Sequence, residues 1–407
     1  MSTAIRNAAI SLSVALIVAS TAPCHAQSYR PAAGDPAWLS LERGKRAYAD
    51  KDFGSAVVHF DEAISARRES FTTAASRLDQ SLQSKPAKSG GDSVKAVLAA
   101  FASEDFIQRD YDRLAAGRAP GSRPLLEALR KERISDSHRA FLDVLLLVYE
   151  YSPAAGLGDS IADLSSRVRL LAKYPEAEYW KGRVFFVEGE LPLAELQYKR
   201  AFGMRDSLEI PGEAYTILYS MAELYGARSD YVAWENVLLE IVEGTDVDID
   251  PYLRSAMMAT LQEDGFDRFM TLYRIEPAYS LDANSSLARF YLERGRAMAA
   301  EHAAIAVSMC LTRAIALLGA RDKDYSWKGL DDFMARAAAR RDVSSYLAEV
   351  ELPGLLVTLA DALYVSGSRI AAASLWRAVA RSGVEPYAAV ATARVANPGS
   401  SVRRAAP

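Results

Sequence analysis

Apolar positions in this chain recur every three to four residues over most of its length, and strict two-residue alternation is scarce. That is the period of a helix burying one face, not of a half-buried strand, so an all-α fold is expected. The clearest block is Pro175 to Phe202, PEAEYWKGRVFFVEGELPLAELQYKRAF. Gly182 and Phe185 share one face, and Gly182 leaves room for a neighbouring helix. Gly189 suits the left-handed residue that ends a helix. Pro192 suits the first turn of the next, where its missing N–H is not needed. Ala194, Tyr198 and Ala201 then follow at helical spacing as small, large, small. Two short helices joined by a tight turn are predicted.

The same spacing returns elsewhere. Gly182, Phe185, Leu191, Ala194, Tyr198 and Ala201 step by +3, +6, +3, +4 and +3. Gly44, Ala47, Phe53, Ala56, Phe60 and Ala63 take the same steps, with Asp52 in the turn where the first series has Glu190. So do Ala222, Tyr225, Tyr231, Trp234, Leu238 and Ile241, with Trp234 and Ile241 in place of small residues. Residues 355–381 read as a further hairpin, with Ala360, Leu363, Ala372, Trp376 and Val379 at related spacing and Gly367 at the turn.

This arrangement resembles the tetratricopeptide repeat. The resemblance implies a right-handed superhelical solenoid of antiparallel helix hairpins, partly irregular, with the first helix of each pair lining a concave surface that holds a protein or peptide. Ala194 to Trp234 spans 40 residues, against about 34 for that repeat, and the extra residues are assigned to the loop Gly203–Gly212.

Outside the best hairpins, the chain divides by composition. Residues 1–26 read as a secretory signal: Arg6, an apolar run from Ile10 to Ala19, and Cys24-His25-Ala26 before Gln27. Two alternatives are an uncleaved anchor and lipidation at Cys24, although Pro23 and the lack of an upstream Leu fit a lipidation signal poorly. Residues 27–83 hold a leader and the first hairpin, whose second helix is expected to run toward Ser81. Residues 84–93, SKPAKSGGDS, have nothing to bury and read as a linker. Residues 94–383 form the main helical repeat domain, with its best hairpins at 175–202, 215–242 and 355–381. Its first part, 94–174, is helical but off-pattern and includes the apolar run Phe141–Tyr149. Gly295–Leu318 is Ala-rich and expected as one longer helix. Residues 384–407 are expected to be a disordered tail.

Charge and chemistry narrow the function. Removing residues 1–26 takes away one arginine and moves the formal charge from −4 to −5. Nothing in that balance favours nucleic acid as a partner. Membrane association is expected to be peripheral or through a lipid on Cys24. Cys310 is then the only cysteine, on an apolar helical stretch, and reads as a buried structural thiol. His59, His138 and His302 are far apart, so neither a metal nor another cofactor is expected. Phosphate-loop and nucleophile-elbow motifs are absent from the sequence. Glu69-Ser70 matches the catalytic dipeptide of lytic transglycosylases, but no Gly-rich Met-Gln segment follows, and a non-enzyme is expected.

The 20 tyrosines and five tryptophans are the informative excess. In the repeat phase above, Lys45, Tyr48, Tyr179, Arg183, Phe186, Tyr219 and Glu223 project to the inner surface. Aromatic and charged residues together suit a peptide partner. The carboxylate clamp of some tetratricopeptide domains uses inner Lys and Asn; here Lys45, Arg183 and Glu223 stand there with no Asn, so that activity is not carried over. The expected role is a periplasmic or envelope scaffold or adaptor, in envelope assembly or transport. The alternatives are a small-ligand pocket near Tyr179, Arg183 and Phe186 and, more remotely, a peptidoglycan lytic enzyme.

Overall fold

The computed structural model describes residues 37–83, 172–246, 249–323 and 325–401. The expected signal segment with Cys24, the linker 84–93, the off-pattern stretch up to residue 171 with His138 and Phe141–Tyr149, and the last six residues lie outside the described residues. The described residues form fifteen α-helices and two short 3-10 turns, with no strand among them. The chain divides into two compact units, Met1–Lys173 and Tyr174–Pro407.

In the first unit, α1 (Ala37–Ala49) and α2 (Phe53–Gln83) form an antiparallel hairpin. Asp52 caps α2, its carboxylate accepting from the Ser55 N–H at 3.1 Å. A hydrogen bond with the Ser55 side chain is the main reason its carboxyl sits below the usual range, and this backbone bond adds to it. Gly44 faces the ring of Phe60 so closely that a Cβ there would collide with it. Ala56, Phe60 and Ala63 are fully buried along α2.

The second unit begins with the hairpin α3 (Pro175–Val187) and α4 (Leu191–Gly203), then α5 (Glu213–Ala227) and α6 (Tyr231–Thr245). Two shorter helices, α7 (Pro251–Glu263) and α8 (Phe266–Leu272), lead to α9 (Leu281–Glu293) and the long α10 (Met298–Arg321). The chain closes with α11 (Leu330–Ala338), α12 (Arg341–Glu349), α13 (Leu352–Val365), α14 (Arg369–Ser382) and α15 (Tyr387–Ala396). The most intimate pairings are α3 with α4, α9 with α10 and α13 with α14, followed equally by α5 with α6, α10 with α13 and α14 with α15. One hydrophobic core runs through these pairs, from Ala194 to Ala391.

The hairpins share one turn. A left-handed residue ends the first helix at Lys51 (φ 63°), Gly189 (82°), Ser229 (57°), Gly295 (64°) and Gly367 (94°). In each, the next N–H reaches back five residues, to Ala47, Phe185, Tyr225, Tyr291 and Leu363, at 2.8–2.9 Å. The left-handed residue's own N–H bonds the carbonyl three residues back, to Tyr48, Phe186, Gly226, Leu292 and Tyr364. This is the Schellman arrangement, which satisfies carbonyls that a helix end leaves open. Seven residues before each left-handed position stands a small residue, Gly44, Gly182, Ala222, Ala288 or Ala360. Nine residues after it stands its counterpart on the second helix, Phe60, Tyr198, Leu238, Ala304 or Trp376, each at most 2% exposed. Burying a large side chain of this kind contributes about 1.5–3 kcal/mol.

The copy at Ala288–Val307 was not expected from the sequence. Ala288, Tyr291, Ala300, Ala304 and Val307 occupy the shared spacing, all at most 1% exposed. Its second helix, α10, carries alanine where the others carry a large residue, so the small-large contrast is missing. α10 is surrounded on nearly every side, and small residues let its neighbours approach. It is long and apolar enough to cross a membrane, but most of it is buried inside the unit. Cys310 is fully buried here, and burial pushes its thiol up to about 12.

In the third copy, the Trp234 indole lies over Gly226 of α5, where a Cβ would stand 3.6 Å from it. Its ring lies 4.9 Å from that of Phe290 on α9, so it joins one hairpin to the next. The expected disordered tail needs correction, because residues 387–396 form α15. Ala388 and Ala391 are buried, and the Tyr387 ring fills the space left by Gly354, where a Cβ would stand 2.8 Å away. Arg394 reaches buried Asp361 at 3.2 Å, and Asp361 also accepts from the Trp376 indole at 2.9 Å. One carboxylate thus ties α13, α14 and α15 together.

Candidate functional site

Five of the seven residues expected on an inner surface lie in the second unit, on α3 and α5. Two polar contacts join the helices: the Tyr179 hydroxyl meets the Ser220 hydroxyl at 3.2 Å, and Arg183 donates to Glu223 at 2.9 Å. Their separations of 41 and 40 residues place the two helices side by side and parallel. Arg183 is mostly covered and Glu223 about half open, so the pair contributes at most about 1 kcal/mol. The Arg183 guanidinium also lies 5.9 Å from the centre of the Phe186 ring. The Arg183 charge in the small-ligand alternative is therefore already matched by Glu223.

Tyr179 and Phe186 are partly buried against the core. The Tyr179 ring lies 5.9 Å from Tyr198 and 5.8 Å from Trp180, which fixes its plane. Tyr219 has a different role from the one expected. Its hydroxyl donates to the Tyr279 carbonyl and accepts from the Ala283 N–H at 3.1 Å. Ala283 lies in the first turn of α9, so Tyr219 satisfies an open N–H there and pins α5 to α9. Desolvation pushes its phenol well above the usual range.

Sequence reasoning missed two aromatic neighbours on this side. Tyr215 lies one turn before Tyr219 on α5, and its ring stacks on Tyr279 at 4.8 Å and 19°. Its hydroxyl donates to the Gly244 carbonyl at 3.0 Å. Gly212 lacks the side chain that would displace the Tyr279 hydroxyl. Tyr279 stands 56% exposed in a non-helical stretch, where no periodicity could mark it. Close by in sequence, Asp282 is open to solvent, yet surrounding helices desolvate its carboxyl and push it above the usual range against the pull of Arg289. The α3–α5 face thus combines aromatic planes with one matched ion pair.

Lys45 and Tyr48 belong to the first unit. Lys45 donates to Glu42 at 2.8 Å, one turn earlier on α1, and the Tyr48 ring lies 5.8 Å from Phe53 across the turn. Glu69, considered above as a catalytic acid, lies on an exposed part of α2.

A buried polar network lies further along the second unit. Asp246 accepts from the Ser280 hydroxyl and, at 3.0 Å, from the Asn284 amide. The Asn284 oxygen faces His302 Nδ1 at 2.7 Å, so that nitrogen carries the proton. Burial pushes the imidazole down to about 4. All four side chains are at most 7% exposed, so the network fixes the end of α6 against α9 and α10 and offers no reacting group to solvent. A more open cluster ties α4 to α5: Glu195 accepts from Lys199 at 2.7 Å, from the Tyr225 hydroxyl at 3.1 Å and from Arg228. The Lys199 bond is the main reason the Glu195 carboxyl sits below the usual range. Among the described residues, no group of three or more His, Cys, Asp and Glu is placed to hold a metal ion.

No protein-family profile matches the sequence. The chain is similar to an uncharacterized protein of Treponema pallidum (strain Nichols), with 23% identity over 362 residues, covering 88% of each chain.

Proposed function

We propose that this protein is a non-enzymatic scaffold or adaptor, exported to the periplasm, whose second unit is a tetratricopeptide-like superhelical solenoid. A protein or peptide segment docks on its α3–α5 face. The observation that carries this reading is the juxtaposition of Tyr179, Arg183 and Phe186 on α3 with Tyr215 and Glu223 on α5, beside the half-exposed ring of Tyr279. Aromatic rings with polar tips bury large area at small entropic cost when a partner arrives. The side chains are already braced by hydrogen bonds and stacking, so docking orders little of the receptor. The shared Schellman turns support a repeated hairpin as the building unit, and the N-terminal apolar run supports export.

The test is affinity capture from the native envelope with wild-type protein, Tyr279→Ala and Glu223→Lys, the variants first matched to wild type by circular dichroism. The expected result is a partner recovered with wild type and depleted at least several-fold with both variants. Equal recovery with all three proteins, or none above background with wild type, counts against the proposal.

A further inference from the structure

The buried network at the start of α9 shares one turn of chain with the proposed docking face. Ser280 occupies the N-cap of α9, and Asn284 stands one turn later. Their neighbours in sequence, Tyr279 and Ala283, are the two residues that Tyr219 holds from α5. The same turn is therefore gripped twice. Tyr219 holds its backbone from α5. Asp246, at the end of α6, accepts from the Ser280 hydroxyl and from the Asn284 amide at 3.0 Å, and His302 of α10 donates from Nδ1 to the Asn284 oxygen at 2.7 Å. The Asn284 amide also donates to the Ser280 carbonyl at 3.1 Å, which fixes its orientation.

The second grip holds in one protonation state. With the proton on Nδ1, the neutral ring leaves Nε2 as an acceptor. Nε2 is buried and meets no partner among the described residues. A second proton would make it a charged donor without an acceptor, on a residue only 1% exposed, and burying such a group is costly. The charges around the ring are already engaged. Glu301, beside it on α10, pairs with Arg254 of α7 at 2.7 Å. The Asp246 carboxylate stands beyond Asn284 with both oxygens bonded. The Tyr291 ring of α9 lies 5.5 Å from the imidazole, and its hydroxyl turns to Glu235 of α6, which also takes Arg296. The other charged residues within α9, Asp282, Arg289 and Glu293, are exposed. On α13, which also packs on α10, the single charge is Asp361, held by Arg394 and Trp376. α12 meets α10 further along, where Asp342 faces Arg321. The imidazole therefore takes a second proton most easily once the turn has moved away and water has entered.

We propose that Asp246, Ser280, Asn284 and His302 form an acid-sensitive latch, in which proton uptake by His302 releases the turn Ala278–Asn284 and with it the Tyr279 ring. The latch is a property of the free protein; its use in controlling a partner rests on the docking reading above.

The experiment is hydrogen exchange followed by mass spectrometry on the whole free protein between pH 7.5 and 5, with rates corrected for the intrinsic effect of pH. The ring titrates at about 6.5 when the turn is open and at about 4 when burial holds it closed. Opening of Ala278–Asn284 is therefore expected to increase about thirtyfold from pH 7.5 to pH 5, and to exceed that of α13 at every pH. His302→Gln keeps an amide donor but does not titrate, and is expected to abolish the rise. Ser280→Ala removes one bond and leaves the imidazole, and is expected to speed opening at pH 7.5 while keeping the rise. The inference is overturned if the turn exchanges no faster than α13, if the rise is absent in wild type, if it persists in His302→Gln, or if Ser280→Ala leaves opening unchanged. A failed envelope capture would remove the docking reading alone, and the exchange result would still decide the latch.

Discussion

Among the helical glycines of the second unit, Gly182 is the one at which an added Cβ would meet a neighbouring side chain most closely, and replacing it with alanine isolates that contact. A Cβ built there lies 2.5 and 2.6 Å from ring carbons of Tyr198 and 3.3 Å from the Gln197 Cβ. Ordinary carbon contacts are about 3.5–4.0 Å, so the ring or the helix must move by about 1 Å. Tyr198 is fully buried and already in contact with Tyr179, so the ring has little freedom to yield. Overpacking of this kind costs roughly 1–3 kcal/mol, while alanine in a helix interior is favoured over glycine by roughly 0.5–1 kcal/mol. The expected net loss is about 0.5–2 kcal/mol. Gly319 on α10 is the control, because nothing lies within 4 Å of its built Cβ; Gly319→Ala is expected to stabilise by about 0.5–1 kcal/mol. The assay is urea unfolding followed by far-ultraviolet circular dichroism and tryptophan fluorescence. A double-mutant cycle with Tyr198→Leu completes it. The smaller side chain is expected to cost less in the Gly182→Ala background, by about 1 kcal/mol of coupling. If Gly182→Ala behaves like Gly319→Ala, or if the cycle shows no coupling, the small-large seam does not set the helix spacing.

Three further outcomes follow from particular residues. Ser229 holds the left-handed turn position at φ 57° that glycine fills in three other hairpins; Ser229→Gly is expected to stabilise by about 0.5–1 kcal/mol, read as a raised urea midpoint at unchanged slope. His302 is held down to about 4 by burial, against about 6.5 when unfolded. The unfolded chain therefore takes up the proton first: this contribution to stability is complete above pH 6.5, is reduced by about 2 kcal/mol at pH 5, and continues to fall toward pH 4. Urea midpoints between pH 7.5 and 4.5 should show that slope in wild type and lose it in His302→Gln. Replacing Arg394 with methionine leaves buried Asp361 without its cation and is expected to cost about 3 kcal/mol. Hydrogen exchange should then rise in α15 ahead of α3 and α4, and uniform protection would contradict the anchoring role given to Arg394.

The hairpins were legible where sequence contrast was high. Gly182 before Tyr198 and Gly44 before Phe60 mark both halves of a seam, because a small residue and a large one must face each other. Ala288 before Ala304 carries no such contrast, since α10 is crowded on nearly every side and carries alanine at this position. The end of the chain was misread for a related reason. α15 is short and Ala-rich, and it is held by Arg394 reaching an Asp361 that lies 33 residues earlier. Nothing in local periodicity announces that ion pair.

The candidate site was legible as a set of helix positions but not as a set of contacts. The phase of α3 and α5 placed Arg183 and Glu223 on neighbouring positions, and they pair with each other. Tyr219 has the right phase, yet its hydroxyl is spent on the start of α9. Tyr279 follows no helical period and is visible only once the chain has folded around Tyr215. A side chain's direction follows from helix phase, whereas its partner depends on which helix packs alongside.

The most direct test of the proposed docking face is site-specific photo-crosslinking in the native host. A benzoylphenylalanine is placed singly at Phe186, Tyr215 or Tyr279, and at Ile370, an 89% exposed residue of α14, as reference. The account predicts a discrete protein adduct at the first three positions that is absent at Ile370. Adducts of equal yield at Ile370, or none at the α3–α5 face in cells that express folded protein, would contradict it.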